Sequence, residues 1–160
     1  MNGDDRVIQY GVVPTRIMKT MSGLQLLTGI IEGTLLAPPI QKTLDFRPVE
    51  VARGLITFVG NPKLEYYNPL GSIHGGYTAA LLDSCMACAI HSTLEAGYSY
   101  ATLEIKINYV RAITRETGEV RAEGKVINSG KRIATAEGRL LDSARKLYAH
   151  GTTTCLILTL

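Results

Sequence analysis

The sequence predicts an α+β fold: an antiparallel sheet of about six strands wrapped around one long central helix, plus an N-terminal helix. Three observations carry this. The run from Gly76 to Glu95 is apolar on every side, so a helix there has to be covered all round. After Gly97 come four segments of strand character, separated by turn residues and with no helical period between them, which makes antiparallel neighbours. A curved sheet enclosing the helix is then the economical way to bury it.

In chain order, residues 1–13 read as loose. Pro14 and Thr15 open a helix of about residues 15–32, with Ile17, Met21, Leu24, Leu27 and Ile31 at spacings of three and four. Gly23 and Gly29 weaken it. Gly33–Pro39 is a turn region. From Ile40 the period changes to two, with Ile40, Lys42, Leu44 and Phe46 alternating against Gln41, Thr43, Asp45 and Arg47, until Pro48 interrupts. A second strand, Val51–Val59, ends at Gly60-Asn61-Pro62, and the two make a hairpin or a bulged pair. The central helix runs to Thr93 or Glu95 and is stopped by Gly97. The four later strands are Tyr100–Val110, Gly118–Asn128, Arg132–Leu141 and Lys146–Leu158. Alternation is clearest where Leu103, Ile105, Ile107 and Tyr109 face Thr102, Glu104, Lys106 and Asn108. There is no repeat and no low-complexity tract, so residues 1–160 read as one domain whose first 35 residues are an extension bearing a helix.

The chain has 160 residues, 46% hydrophobic and 19% charged, with a formal net charge of +3. This composition suits a globular protein with a full core. The mild positive balance suits an anionic small ligand better than nucleic acid. No apolar run reaches the roughly 18 residues of a membrane span, and no charged cap precedes an apolar core at the N-terminus, so neither membrane nor secretory signal is expected. Cys85 and Cys88 have CxxC spacing but fall inside the predicted helix, not at its start, where a redox pair gains its low pKa. With Cys155 they make neither a disulfide framework nor a zinc site, and a reducing cytoplasm is the expected location.

The chain is organised around Asn68–Asp83. A polar loop, Asn68-Pro69-Leu70-Gly71, leads through His74-Gly75-Gly76 into the helix. Glycines at a helix start let a ligand approach the backbone, and their N–H groups lie unpaired at the positive end of the dipole. An ester or thioester carbonyl turning into an oxyanion would be held there. Asp83 is the only ionisable carboxylate between Ser72 and Ile90 and sits in apolar company. It lies seven residues past Gly76, roughly 10 Å along the helix at 1.5 Å per residue, and cannot reach a ligand held at that helix's own N-terminus. A second copy of the helix, antiparallel beside the first, would bring acid and donors together, which argues for a symmetric dimer.

The element order and the string Asn68-x-x-Gly71-x-x-His74-Gly75-Gly76, followed by Asp83, resemble the hotdog-fold acyl-CoA thioesterases of the PaaI-like superfamily, from about Val51 to the C-terminus. The resemblance implies a homodimer pairing further into a dimer of dimers, an acyl-CoA substrate, and no cofactor, since coenzyme A is part of the substrate. It implies that Gly75, with Gly76 beside it, presents backbone N–H to the carbonyl, that Asn68 polarises the carbonyl or holds water, and that Asp83 of the other subunit is general base or nucleophile. Thr102 would orient the water, and His74 would steady the loop or bond near the carbonyl. Lys131 and Arg132 at a hairpin tip, with Arg111, would meet the coenzyme phosphates. The N-terminal helix fits the motif less well and reads as a subfamily trait covering the acyl pocket. On the residues alone each has a plainer reading: Asp83 a structural acid, Thr102 a strand residue, Lys131 and Arg132 hairpin charges, the glycines a device for close packing. Two other functions stay open. One is a hotdog hydratase or dehydratase, which pairs a catalytic His with an acid in a different layout. The other is a non-catalytic acyl-CoA binder, which has no use for a costly buried carboxylate.

Overall fold

The computed structural model describes residues 8–160. Two short helices come first: α1 (Thr15–Met18) and α2 (Gly23–Glu32). The helix expected over residues 15–32 is thus broken. The break is a capping box, in which Ser22 Oγ accepts from the Gln25 N–H and the Gln25 side chain accepts from the Ser22 N–H. Gly33, at φ 76°, closes α2 in the left-handed conformation that favours glycine. Residues 8–13, expected to be loose, are tied down. The Gly11 N–H donates to the Ala37 carbonyl and the Ala37 N–H to that of Gln9, both at 2.9 Å. The expectation for residues 1–7 falls outside the described residues.

The stretch expected as a strand from Ile40 is instead α3 (Pro39–Thr43). Pro39 stands at the first helical position, where its missing N–H costs nothing. Strand β1 (Phe46–Ala52) then runs straight through Pro48. A proline is tolerated there because β1 is an edge strand and its register shifts next to Pro48. It turns at Gly54, φ 79°, into β2 (Leu55–Gly60). After the loop comes α4 (Gly75–His91), then β3 (Tyr98–Tyr109), β4 (Val120–Ser129), β5 (Ile133–Asp142) and β6 (Leu147–Thr159).

The six strands form one antiparallel sheet in the order β1-β2-β4-β5-β6-β3, curled round α4: the hotdog architecture. The last four strands are neighbours, as expected, with β3 brought round to the far side of β6. Leu81, Leu82, Cys85, Met86, Ala89 and Ile90 of α4 are fully buried against Phe58, Val120, Ala122, Ala136 and Leu140. Close approach is made possible by glycines paired across the sheet, Gly124 with Gly138 and Gly138 with Gly151. A Cβ on Gly124 would overlap the Cys85 carbonyl, and one on Gly138 would lie 2.7 Å from Met86 Cγ. Helix and sheet therefore meet backbone to backbone at Gly124, while Gly138 makes room for the Met86 side chain. α4 is not covered everywhere: Ala79, Ala80, Asp83, Ser84 and Cys88 stay partly exposed. Among the described residues no helix is long and apolar enough to cross a membrane.

Candidate active site

The loop before α4 is built by Asn68. Its side-chain oxygen accepts from the N–H groups of Leu70 (2.9 Å) and Ser72 (3.3 Å), and its amide donates to Ser72 Oγ at 3.0 Å. The structure thus puts both ends of this amide to work in shaping the turn. His74 is the N-cap of α4: its Nδ1 accepts from the Gly76 N–H at 2.9 Å, while its own N–H donates to the Tyr66 carbonyl at 2.7 Å. A ring nitrogen that accepts carries no proton, which places the proton of neutral His74 on Nε2. This bond occupies the Gly76 N–H. The Gly75 N–H has no partner among the described residues and is the donor left for a ligand. Tyr109, at the end of β3, covers the same glycine: its hydroxyl donates to the Gly75 carbonyl at 3.1 Å and its ring lies 3.3 Å from where a Cβ would stand. Arg111 follows, its guanidinium held by the Leu147 carbonyl. Gly75, Thr78, Tyr109, Arg111 and Ile113 line an open cavity of about 330 Å³.

The second group lies further along α4. Asp83 Oδ1 accepts from the Thr102 hydroxyl at 3.0 Å, and Cys155 Sγ is 4.0 Å from that hydroxyl. The pairing depends on a defect in β3. Its register with β6 shifts between Thr102 and Glu104, so Leu103 is an extra residue and stands 57% exposed. Ile105 and Ile107 pack toward the core. In unbroken alternation Thr102 would face the opposite side from Ile105; the bulge turns it inward, onto Asp83. The alternation read from Leu103 to Tyr109 therefore holds only from Ile105. Beyond Thr102, Cys88 Sγ lies 3.9 Å from the Tyr100 hydroxyl, and the Tyr100 ring meets His91 at 5.3 Å. Burial pushes the Cys88 thiol up to about 12 and lowers the His91 pKa, so both stay neutral near neutrality. All three cysteines are free.

One chain does not assemble these two groups into one site. Gly75 and Asp83 are eight helical residues apart, about 12 Å. Tyr109 closes β3 and Thr102 lies in its first half, about 20 Å away at some 3.3 Å per residue. Lys131 and Arg132 stand exposed on the β4–β5 turn. The Ile157 N–H donates to the Arg132 carbonyl, and Ile157 pairs with Tyr100, so this tip is at the Asp83–Thr102 end, two strand spacings from β3. Arg111 is at the Gly75 end. From the sequence Tyr109 reads as packing or pocket lining, and it lines the cavity beside Gly75; nothing in the sequence singles out Tyr100, Cys88 and Ser72 for a site. The signal for Tyr109 was its place at the close of an inward-facing alternation that ends beside the glycines. No group of three or more His, Cys, Asp or Glu is placed to hold a metal among the described residues. A larger depression of about 520 Å³, between Glu50, Leu55, Lys125 and Arg139, holds none of the candidate residues.

A sequence profile described as the thioesterase superfamily matches residues 70–149. No curated protein matches the chain. Several solved structures are similar. A conserved protein of Pseudomonas aeruginosa is 30% identical over 74% of this chain and 93% of that one, with a TM-score of 0.70. A phenylacetic acid degradation-related protein of Ralstonia eutropha is 26% identical over 81% and 98%, TM-score 0.74. A variant of the phenylacetic acid degradation protein PaaI of Thermus thermophilus is 26% identical over 74% and 97%, TM-score 0.67.

Proposed function

The chain belongs to the thioesterase superfamily, and from that premise we propose that it hydrolyses an acyl-CoA thioester to the free acid and coenzyme A in a site shared by two protomers. The observation that carries the proposal is the Asp83–Thr102 hydrogen bond, set about 12 Å from the unpartnered Gly75 N–H of the same helix. An acid and an oxyanion donor so placed serve one substrate only if two copies meet about a two-fold axis with their central helices antiparallel.

The edge of the sheet supports such a meeting. β3 bonds only to β6, so its outer edge is unpaired among the described residues. Antiparallel pairing of two β3 strands about Lys106, with Leu103 taken up in the bulge, sets Thr102 of one copy opposite Tyr109 of the other. The partly exposed stripe of α4 carries small residues, Ala79, Ala80 and Ser84, which permit a second helix to lie close. Each composite site then holds Asp83 and Thr102 from one protomer and Gly75 from the other. Lys131 and Arg132 of the first converge with Arg111 of the second around the coenzyme phosphates, which Arg and Lys suit as donors.

In this site the Thr102 hydroxyl fixes one Asp83 oxygen, and the other accepts a proton from a water. The water oxygen bonds to the thioester carbon, and the carbonyl electrons move to oxygen, where the Gly75 N–H at the helix start stabilises them. Collapse breaks the C–S bond and the thiolate leaves. Its conjugate acid has a pKa of about 8.5, by analogy with cysteine, so it needs little acid assistance and no Ser-His-Asp triad. The test is release of free thiol from a panel of acyl-CoAs. Thiol release supports hydrolysis; a change in enoyl-CoA absorbance without thiol release would establish a hydratase instead, and binding without either would establish a binder.

A further inference from the structure

The N-terminal segment lies outside the residues that the superfamily profile matches, which begin at 70. In this fold it forms a roof. Val13, Met18, Leu26, Ile30 and Leu36 close one side of a cavity of about 350 Å³ whose other side is Phe58, Cys88, His91 and Tyr100. The cavity lies beside the Asp83–Thr102 pair. Tyr100 is two residues from Thr102 on the same face of β3, and Cys88 is five residues from Asp83 on α4, a rise of about 7 Å along either element. Among the described residues no Asp, Glu, Lys or Arg lines it. Its titratable members are uncharged: burial lowers the His91 pKa and raises that of Cys88, and the Cys88 thiol, then burial, hold the Tyr100 hydroxyl protonated.

We infer that this cavity receives the acyl group and that residues 11–39 set its length, making the substrate an uncharged, mainly apolar acyl chain of medium length. An apolar protein cavity of about 150 Å³ holds the six carbons of benzene, so the present one accepts no more than about fourteen. A chain bearing a terminal carboxylate meets no cation among the described lining residues and is rejected, because a buried charge without a partner is costly. The inference rests on the thioesterase reading and deepens it.

The test is kcat/KM for straight-chain acyl-CoAs from acetyl to stearoyl, with succinyl-CoA beside butyryl-CoA. The specificity constant should climb to about decanoyl-CoA, fall at least about tenfold by stearoyl-CoA, and be at least about tenfold lower for succinyl than for butyryl. Met18→Trp and Leu36→Trp each place a large ring in the cavity from a half-buried position. Each should lower the decanoyl-to-butyryl ratio at least about tenfold. A ratio unchanged in both folded variants, or a flat chain-length profile, overturns the inference. Calorimetric binding of free decanoate separates the two levels, since it needs no chemistry. Decanoate binding that Met18→Trp abolishes supports the cavity even if no acyl-CoA is hydrolysed, the result that would sink the hydrolase reading alone; no decanoate binding counts against the cavity.

Discussion

Replacing Asp83 by asparagine removes basicity while leaving shape almost untouched. In the structure Asp83 Oδ1 accepts from the Thr102 hydroxyl at 3.0 Å. Asparagine keeps an oxygen that can accept that bond, and Asp83 is only partly buried, so its amide is not stranded. The stability cost is at most that of one ordinary hydrogen bond, about 1 kcal/mol, or a Tm change of about 2–4 °C for a chain of this size. The catalytic cost is of another order. A positioned general base contributes about 10²–10⁴-fold, roughly 2.7–5.4 kcal/mol of transition-state stabilisation. Asp83→Asn should therefore lose at least about a hundredfold in kcat while its thermal unfolding stays near wild type. The assay is thiol release from the best substrate of the panel, alongside a melting curve. Turnover within about threefold of wild type would refute the assignment of Asp83 as the base.

Three further outcomes follow from the geometry. Thr102→Val leaves Asp83 unfixed and should lower kcat about tenfold with little change in KM, while Thr102→Ser, which restores the hydroxyl, should recover most of it. Gly124→Ala places a methyl on the Cys85 carbonyl; overpacking of this kind costs about 3 kcal/mol or more, and the melting curve should fall by at least about 6–12 °C. His91 gives a pH dependence. Burial lowers its pKa, so the unfolded chain takes up the proton more readily. The stability from neutral His91 is complete above about pH 6.5 and is lost as pH falls through that value and through the lower folded one. The urea midpoint should drop more between about pH 7.5 and 5.5 in wild type than in His91→Gln; equal drops would contradict it.

Periodicity and turn chemistry made the architecture legible: the apolar helix, the four later strands and the glycine-led helix start all stand where the residues put them. The failures are local and physical. Ile40 to Arg47 alternates as a strand does, yet Pro39 sets up a helical turn, and the strand begins at Phe46 because an edge position and a register shift excuse Pro48. Ser22 to Gln25 carried a capping box in plain view, overridden by the longer apolar period. The bulge at Leu103 has no glycine or proline to announce it, and the alignment of Thr102 with Asp83 depends on it. The glycine-led helix start and the lone acid Asp83 were visible in the residues, and Asn68 and His74 came from the family resemblance; which N–H remains free was not legible, because that is decided by where the His74 ring turns. The cavity under the N-terminal segment sets Met18 and Leu36 across from Tyr100, positions too far apart in sequence for any period to relate.

The shared site is the claim on which the rest stands, and mixing two damaged proteins tests it. Gly75→Pro removes the one N–H at issue from a first helical position that accepts proline, after a His74 already at φ −59°, ψ 136°. Alone it should be as inactive as Asp83→Asn. Unfolded together and refolded as a mixture, the two should regain about a quarter of wild-type turnover, since half the dimers are mixed and each mixed dimer holds one intact site. A mixture that stays as inactive as its parents, although mixed dimers have formed, would show that each protomer works alone and would contradict the account.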